Sequence, residues 1–162
     1  MNAPTTTQQN NLLQKSELQA QVVRALEAHL PSYSLLWNAE DTVPFECDGL
    51  TAYRARPLVV ALPETYEQVQ AVLKTCHAMN VPVVARGAGT GLSGGAMPHT
   101  LGVTLSLARF NQILAVDPVS RTAVEQRGVR NLANNEAAAP YSLNYPPDPS
   151  SQIACTIGGN VA

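Results

Sequence analysis

The sequence has no tract of positive charge. Its 10 Lys and Arg residues never stand side by side, and they face 12 Asp and Glu, for a formal net charge of −2. A protein that grips nucleic acid or an anionic membrane gathers cations on one stretch or face, and this chain does not. Metal-ligand spacing is missing too. Cys47, Cys76 and Cys155 lie far apart, and no CxxC or HxxxH pair occurs, which argues against a zinc or iron–sulfur site built by this chain alone. An odd number of thiols without a leader peptide reads as free cysteines in a reducing cytoplasm. The opening M-N-A-P-T-T-T-Q-Q-N is polar and has no apolar h-region. No apolar run approaches the roughly 20 residues that span a bilayer, and there are no internal repeats. What remains is a 162-residue chain, 45% apolar, long enough for one ordinary packed domain.

Residues 1–11, rich in Thr, Gln and Asn, read as a disordered tail. A helix is expected next, capped by Ser16 with Gln19 at the capping-box position. Leu18, Val22, Leu26 and His29 fall on one face, and Pro31 ends it. Breakers Pro44, Gly49 and Pro57 make 32–57 irregular. L-V-V-A-L (58–62) reads as a buried strand between prolines. Thr65 caps a second helix, with Gln68 in the box position and Val69, Val72, Leu73, Cys76 and Met79 on its apolar face. Asn80 suits the left-handed turn at its end. V-P-V-V-A (81–85) is the next strand, so 58–85 reads as one βαβ unit with two parallel strands. V-T-L-S-L (103–107) is a further strand, 113–117 and 122–126 form an antiparallel pair, and 129–139 is helical up to Pro140.

The densest signal is R-G-A-G-T-G-L-S-G-G (86–95), which holds five of the chain's ten glycines. Glycine at that density costs backbone entropy on folding and needs a reason. A GxGxxG lies within it, Gly89 to Gly94, directly after a strand. A dinucleotide fingerprint of the Rossmann kind, however, needs a helix to open at the loop, and Gly95, Pro98 and Gly102 lead instead to another strand. Asp117 stands near the distance of the ribose-binding acid but precedes Pro118 in a turn. A P-loop fails because no Gly-Lys-Ser/Thr closes the motif. Successive glycine amides still make an anion-binding nest, and missing Cβ atoms let the chain approach a pyrophosphate. Thr90 and Ser93 add hydroxyls. Arg86 either adds charge to the loop or pairs internally, and its place at a strand end does not decide. A plain flexible loop between two buried strands is the competing reading.

A second region points the same way. Four of the twelve prolines lie between 140 and 149, and Pro146-Pro147-Asp148-Pro149 is a stiff arm with few backbone donors. Ser150 and Ser151 follow, and then Thr156-Ile157-Gly158-Gly159-Asn160 offers a second small-residue segment with open backbone donors. Two such segments and a rigid arm suit one long ligand lying between them.

P-V-V-A-R-G-A-G-T-G-L-S-G-G and P-P-D-P-S-S-Q-I-A-C-T-I-G-G-N-V-A together resemble the FAD-binding domain of the PCMH-type (vanillyl-alcohol-oxidase type) flavoproteins. Within that family the chain is most similar to the flavin subunit of bacterial glycolate oxidases and to D-2-hydroxyacid and D-lactate dehydrogenases. F-E-C-D-G-L-T-A-Y-R-A-R-P fits the same subunit, so the resemblance covers roughly 45–162. It implies an α+β fold of two subdomains with FAD extended between them. It assigns the pyrophosphate to Arg86, Gly87, Ala88, Gly89, Thr90, Gly91 and Leu92, with Ser93 close by. It assigns the flavin and ribityl–phosphate region to Pro147, Asp148, Thr156, Gly158, Gly159 and Asn160. The implied chemistry is oxidation of a 2-hydroxy acid such as glycolate or D-lactate to the 2-oxo acid, with hydride passing to flavin.

On this resemblance the chain divides into a tail (1–11), an N-terminal helical extension (12–52) and a PCMH-type FAD-binding domain (53–162). That domain is expected to be incomplete, its second subdomain truncated. The family's catalytic histidines and any substrate-side metal site lie in a later cap, and His29, His77 and His99 match none of its motifs. No catalytic residue is therefore assigned. By itself the chain is expected to bind FAD weakly or not at all and to turn over no substrate. The resemblance implies sister flavin and iron–sulfur subunits and a quinone rather than oxygen as acceptor, while the charge balance argues against a nucleic-acid partner. The free thiols point to a cytoplasmic location, and the implied partner subunits leave peripheral attachment at the inner membrane open. The alternative is a non-catalytic fragment that holds a nucleotide or a sister subunit.

Overall fold

The computed structural model describes residues 6–162, so the expectation for 1–5 lies outside the described residues. Helix α1 runs over Thr6–Glu27, beginning well before Ser16, which sits in its interior. The stretch from Thr6 to Glu27 holds no Gly or Pro and many Gln, Leu, Glu and Ala, so nothing breaks the helix where a tail was expected. Val22, Val23 and Leu26 are buried, each worth about 1.5–3 kcal/mol of transfer free energy. His29, placed on that face by periodicity, instead lies exposed in the turn after the helix, and Leu30 takes the buried position. The Gln19 side chain donates to the carbonyls of Trp37 (3.1 Å) and Leu58 (2.7 Å), pinning the helix to the chain beneath it.

Strand β1 (Leu35–Leu36) and the short helix α2 (Ala39–Thr42) come next, then an irregular stretch to β2 (Val59–Ala61). Helix α3 (Tyr66–Ala78) is capped as expected: Thr65 Oγ1 accepts from the Gln68 amide at 3.3 Å. The Gln68 side chain reaches back to the amide of Glu64, at 2.7 Å. Val72 and Cys76 face the core, but Leu73 is turned to solvent, one step off the buried stripe. Asn80 adopts φ +53, the left-handed turn that ends the helix.

Strands β3 (Val83–Arg86) and β4 (Val103–Ser106) complete a four-stranded sheet of order β1-β2-β4-β3. Strand β1 is antiparallel to β2, while β2 and β3 both run parallel to β4. The βαβ unit is therefore present with one difference. Strand β4, arriving after the glycine loop, inserts between β2 and β3 rather than flanking them. Every residue of the two central strands β2 and β4 is buried, as strands covered on both faces require. Helices α1 and α3 share one core with them, built on Val22, Leu26, Val59, Val72, Val103 and Leu105.

Strands β5 (Ile113–Asp117) and β6 (Thr122–Glu125) pair antiparallel as a separate ribbon, with α4 (Asn131–Ala138) and α5 (Ile157–Val161) after them. The stretch 12–52 is no appendage in packing terms, since α1 shares its core with α3, β2 and β4, and β1 pairs with β2 in the same sheet. Among the described residues, no helix is long and apolar enough to cross a membrane.

Candidate functional site

The glycine loop leaves β3 at Arg86 and returns at β4. Arg86 is 8% exposed and turns away from solvent. Its guanidinium donates to the carbonyl of Cys47 (2.8 Å) and more distantly to those of Ala96 (3.4 Å) and Pro44 (3.5 Å), and it lies 5.6 Å from the Phe45 ring centre. Burial pulls its pKa below the ordinary arginine value, while Cys47 and Asp48 nearby push it back up. The side chain thus resolves the alternative left open by sequence: Arg86 pairs internally and ties the root of the loop to residues 44–47.

Gly89 sits on that guanidinium at φ +75, and a Cβ there would lie 2.1 Å from Arg86 Nη2. Gly94 also has a left-handed φ, +78. Gly91 and Gly95 are different, because a Cβ on either meets nothing within 4 Å. Ala88, Gly91, Leu92 and Ser93 are exposed, while Gly87, Gly89 and Thr90 are half-buried. Among the described residues, none of the backbone N–H groups from Gly87 through Ser93 finds an acceptor within the protein. A row of bare amides beside a buried cation is the nest an anion needs.

Asp48, which sequence reading passed over, holds the far end. It is 4% exposed, and its carboxylate accepts from the Gly94 amide (2.9 Å) and the Leu50 amide (3.0 Å). The Gly49 amide donates to the Gly91 carbonyl at 2.9 Å. The available signal was an Asp-Gly pair in an irregular stretch, which alone reads as a turn.

The second segment meets the first at one point. Thr156 is buried, and a Cβ on Gly87 would lie 2.5 Å from its Oγ1. Thr156 bridges to Arg130 across an isolated antiparallel pair. A cleft of about 350 Å³ opens where Gly87 and Ala88 of the loop face Arg130, Ala133, Ala154 and Thr156. Arg130 and Ala133 were not expected from sequence, since no local motif marks them, and Ala154, within the second motif, was not assigned a role.

The remaining expected residues are placed less directly. Gly158 packs on Arg127, where a Cβ would lie 2.9 Å from the Arg127 Cβ. The amides of Ile157, Gly158 and Asn160 donate to Val129, Arg127 and Thr156 carbonyls, so this segment does not offer the open donors expected of it. It is a short helix, α5, and Gly159 and Asn160 are exposed on it. Pro147 is exposed but fixed, its carbonyl accepting from the fully buried Asn131 side chain at 3.1 Å. Asp148 is exposed. Asp117 does not act at a ribose: its carboxylate accepts from Val119 (2.9 Å) and Ser120 (3.1 Å) and closes the β5–β6 turn.

A model of the FAD binding domain matches residues 57–162. The chain is 60% identical over 141 residues to glycolate oxidase subunit GlcD of Escherichia coli, covering 87% of this chain and 28% of that protein. It is 38% identical over 117 residues to the Bacillus subtilis protein of that name (72% and 25%). To D-lactate dehydrogenase of Archaeoglobus fulgidus it is 40% identical over 118 residues (72% and 26%). The chain thus spans about a quarter of the length of these relatives. In fold it is similar to p-cresol methylhydroxylase, with a TM-score of 0.76 at 23% identity over 90% of this chain and 29% of that one. Alkyldihydroxyacetonephosphate synthase gives 0.76 at 22%, over 86% and 28%. With the bare-amide loop, the Thr156 cleft and a family match over most of its length, this chain belongs to the FAD binding domain family of the PCMH type.

Proposed function

We propose that this chain forms the pyrophosphate-binding part of an FAD-linked oxidoreductase that converts a 2-hydroxy acid such as glycolate or D-lactate to the 2-oxo acid. The observation that carries this is the row of unpaired amides from Gly87 to Ser93, set against the Thr156 hydroxyl. Bound FAD would supply the two-electron acceptance that no protein side chain offers. The chain's own residues bind and orient. The amides from Gly87 to Ser93 face the pyrophosphate, and Thr90 and Ser93 supply hydroxyls at the loop's rim. Thr156 closes the cleft against Gly87, and Arg86 contributes positive potential from beneath without reaching the ligand. Pro147 and Asp148, on the arm held by Asn131, and Gly158, Gly159 and Asn160 on α5 line the flavin side.

The substrate-side chemistry belongs to the whole enzyme, and the relatives' names, a glycolate oxidase subunit and a D-lactate dehydrogenase, support a small 2-hydroxy acid and a multisubunit assembly, to which this reading adds iron–sulfur and sister flavin subunits. The test has two arms. A titration with FAD, monitored by flavin fluorescence, should show weak saturable quenching that Gly91→Asp abolishes. The full-length enzyme should reduce an artificial acceptor with glycolate or D-lactate, and the same substitution should remove that turnover. Undiminished FAD binding by the Gly91→Asp protein would sink the assignment.

A further inference from the structure

Residues 44–56 lie outside the matched domain, which begins at residue 57. Yet they hold the glycine loop at three places. Asp48 takes the Gly94 amide, Gly49 donates to the Gly91 carbonyl, and the carbonyls of Pro44 and Cys47 hold the Arg86 guanidinium under Gly89. The segment is itself braced. The Ala55 amide donates to the Glu46 carbonyl at 2.9 Å, and the Glu46 carboxylate pairs with Arg54 and, at 3.8 Å, with Arg56. Gly49 fits so closely against the loop that a Cβ would lie 2.7 Å from the Thr90 carbonyl and 3.0 Å from that of Gly91.

A glycine-rich loop is by itself the most mobile kind of chain, because glycine has the most conformations to lose. Here its anion-facing stretch, Gly87 to Ser93, is anchored at both ends by residues 44–49, which precede the matched domain. The carboxylate of Asp48 consumes the Gly94 amide, which marks the end of the nest, and the Gly49 amide holds the Gly91 carbonyl, with the Thr90 carbonyl packed close beside Gly49.

We propose that Asp48, with Gly49, is a positioning residue for the cofactor: it holds the loop in its anion-accepting shape before FAD arrives, so FAD affinity is set in part from outside the recognised domain. This rests on the reading of the loop as the pyrophosphate site. Apparent affinity scales with the fraction of molecules whose site is already formed. Loss of both Asp48 contacts should therefore weaken FAD binding by roughly tenfold or more through a fall in that fraction.

The experiment compares Asp48→Ala and Asp48→Asn with the unaltered full chain and with Gly91→Asp. FAD affinity is read by amide shifts well below each variant's melting midpoint, and hydrogen exchange is read at Gly91 and Gly94. Asn keeps one acceptor oxygen, so its affinity should fall between those of wild type and Asp48→Ala, with faster exchange at Gly94 in proportion. A merely structural Asp48 would lower the melting midpoint of both variants without separating their FAD affinities. Wild-type affinity in both Asp48 variants, with Gly91→Asp still abolishing binding, overturns the clamp and leaves the pyrophosphate site standing. Unchanged affinity in Gly91→Asp overturns the site reading itself.

Discussion

Gly89 and Gly91 are two residues apart in one loop and should respond oppositely to the same substitution. At Gly89 an Ala must take φ +75, and its Cβ must displace the guanidinium now 2.1 Å away. The left-handed conformation costs about 1–2 kcal/mol for a residue with a Cβ. Moving Arg86 breaks its contact to the Cys47 carbonyl, a bond to a charged donor worth about 1.5–3 kcal/mol. Gly89→Ala should therefore destabilise the chain by roughly 3–5 kcal/mol, which lowers the melting midpoint by on the order of 10 °C for a domain of this size. At Gly91 there is no atom within 4 Å of the new Cβ and no left-handed φ to strain. Gly91→Ala should leave the midpoint unchanged or raise it slightly through reduced entropy of the unfolded chain. Gly91→Asp should also melt like wild type while losing FAD. Circular dichroism melts of the three variants beside one FAD titration decide the matter. Equal destabilisation at both positions would refute the division of the loop into packed and ligand-facing glycines.

Gly128→Ala should be comparably costly, because its Cβ would lie 2.3 Å from the Leu107 carbonyl and 2.6 Å from that of Phe110, backbone atoms that cannot rotate away. A loss of about 3 kcal/mol or more is expected in urea melts. Gln19→Ala should free α1 by leaving the Leu58 carbonyl without its side-chain donor, seen as faster hydrogen exchange over Leu18–Leu26 with the β2–β4 ladder unaffected. Burial raises the Cys76 thiol from its ordinary value of 9 to about 11. The folded state favours the protonated form, so that contribution is complete below pH 9 and is lost as pH rises through 11, a fall of roughly 2–3 kcal/mol. The Cys76→Val protein should lack that slope, and melts at about pH 8 and about pH 11 would show it. In the native chain, thiol reagents should modify the half-buried Cys47 long before the buried Cys76.

Local rules carried the reading a long way. Thr65 and Gln68 are capping residues because their side chains satisfy nearby amides, a matter of four residues, and the structure places them so. Asn80 ends α3 for an equally local reason. The β5–β6 pair was legible from two short strand-like runs on either side of Pro118. Errors came where distant chain decides. Nothing local says that β4 must enter between β2 and β3, since strand order is set by which faces bury together. Leu73 obeys helical spacing loosely enough to pass, but the core contacts select the stripe of Val69, Val72, Cys76 and Met79. The glycine loop announced itself through composition. Its supports did not, because Asp48 and the Cys47 and Pro44 carbonyls that hold Arg86 act across 39 to 46 residues of sequence. The amides of α5 looked open for the same reason: their acceptors, Val129 and Arg127, lie about thirty residues upstream and carry no motif.

The most direct test is a titration of the ¹⁵N-labelled chain with FAD into the millimolar range, where even weak binding registers. The amides of Gly87 to Ser93 and of Thr156 should shift together along one saturation curve. Gly94, already held by Asp48, should move far less. Shifts confined elsewhere, such as the groove between Leu12 and Leu101, or no shift in the loop at all, would contradict the assignment of the bare amides to the cofactor's pyrophosphate.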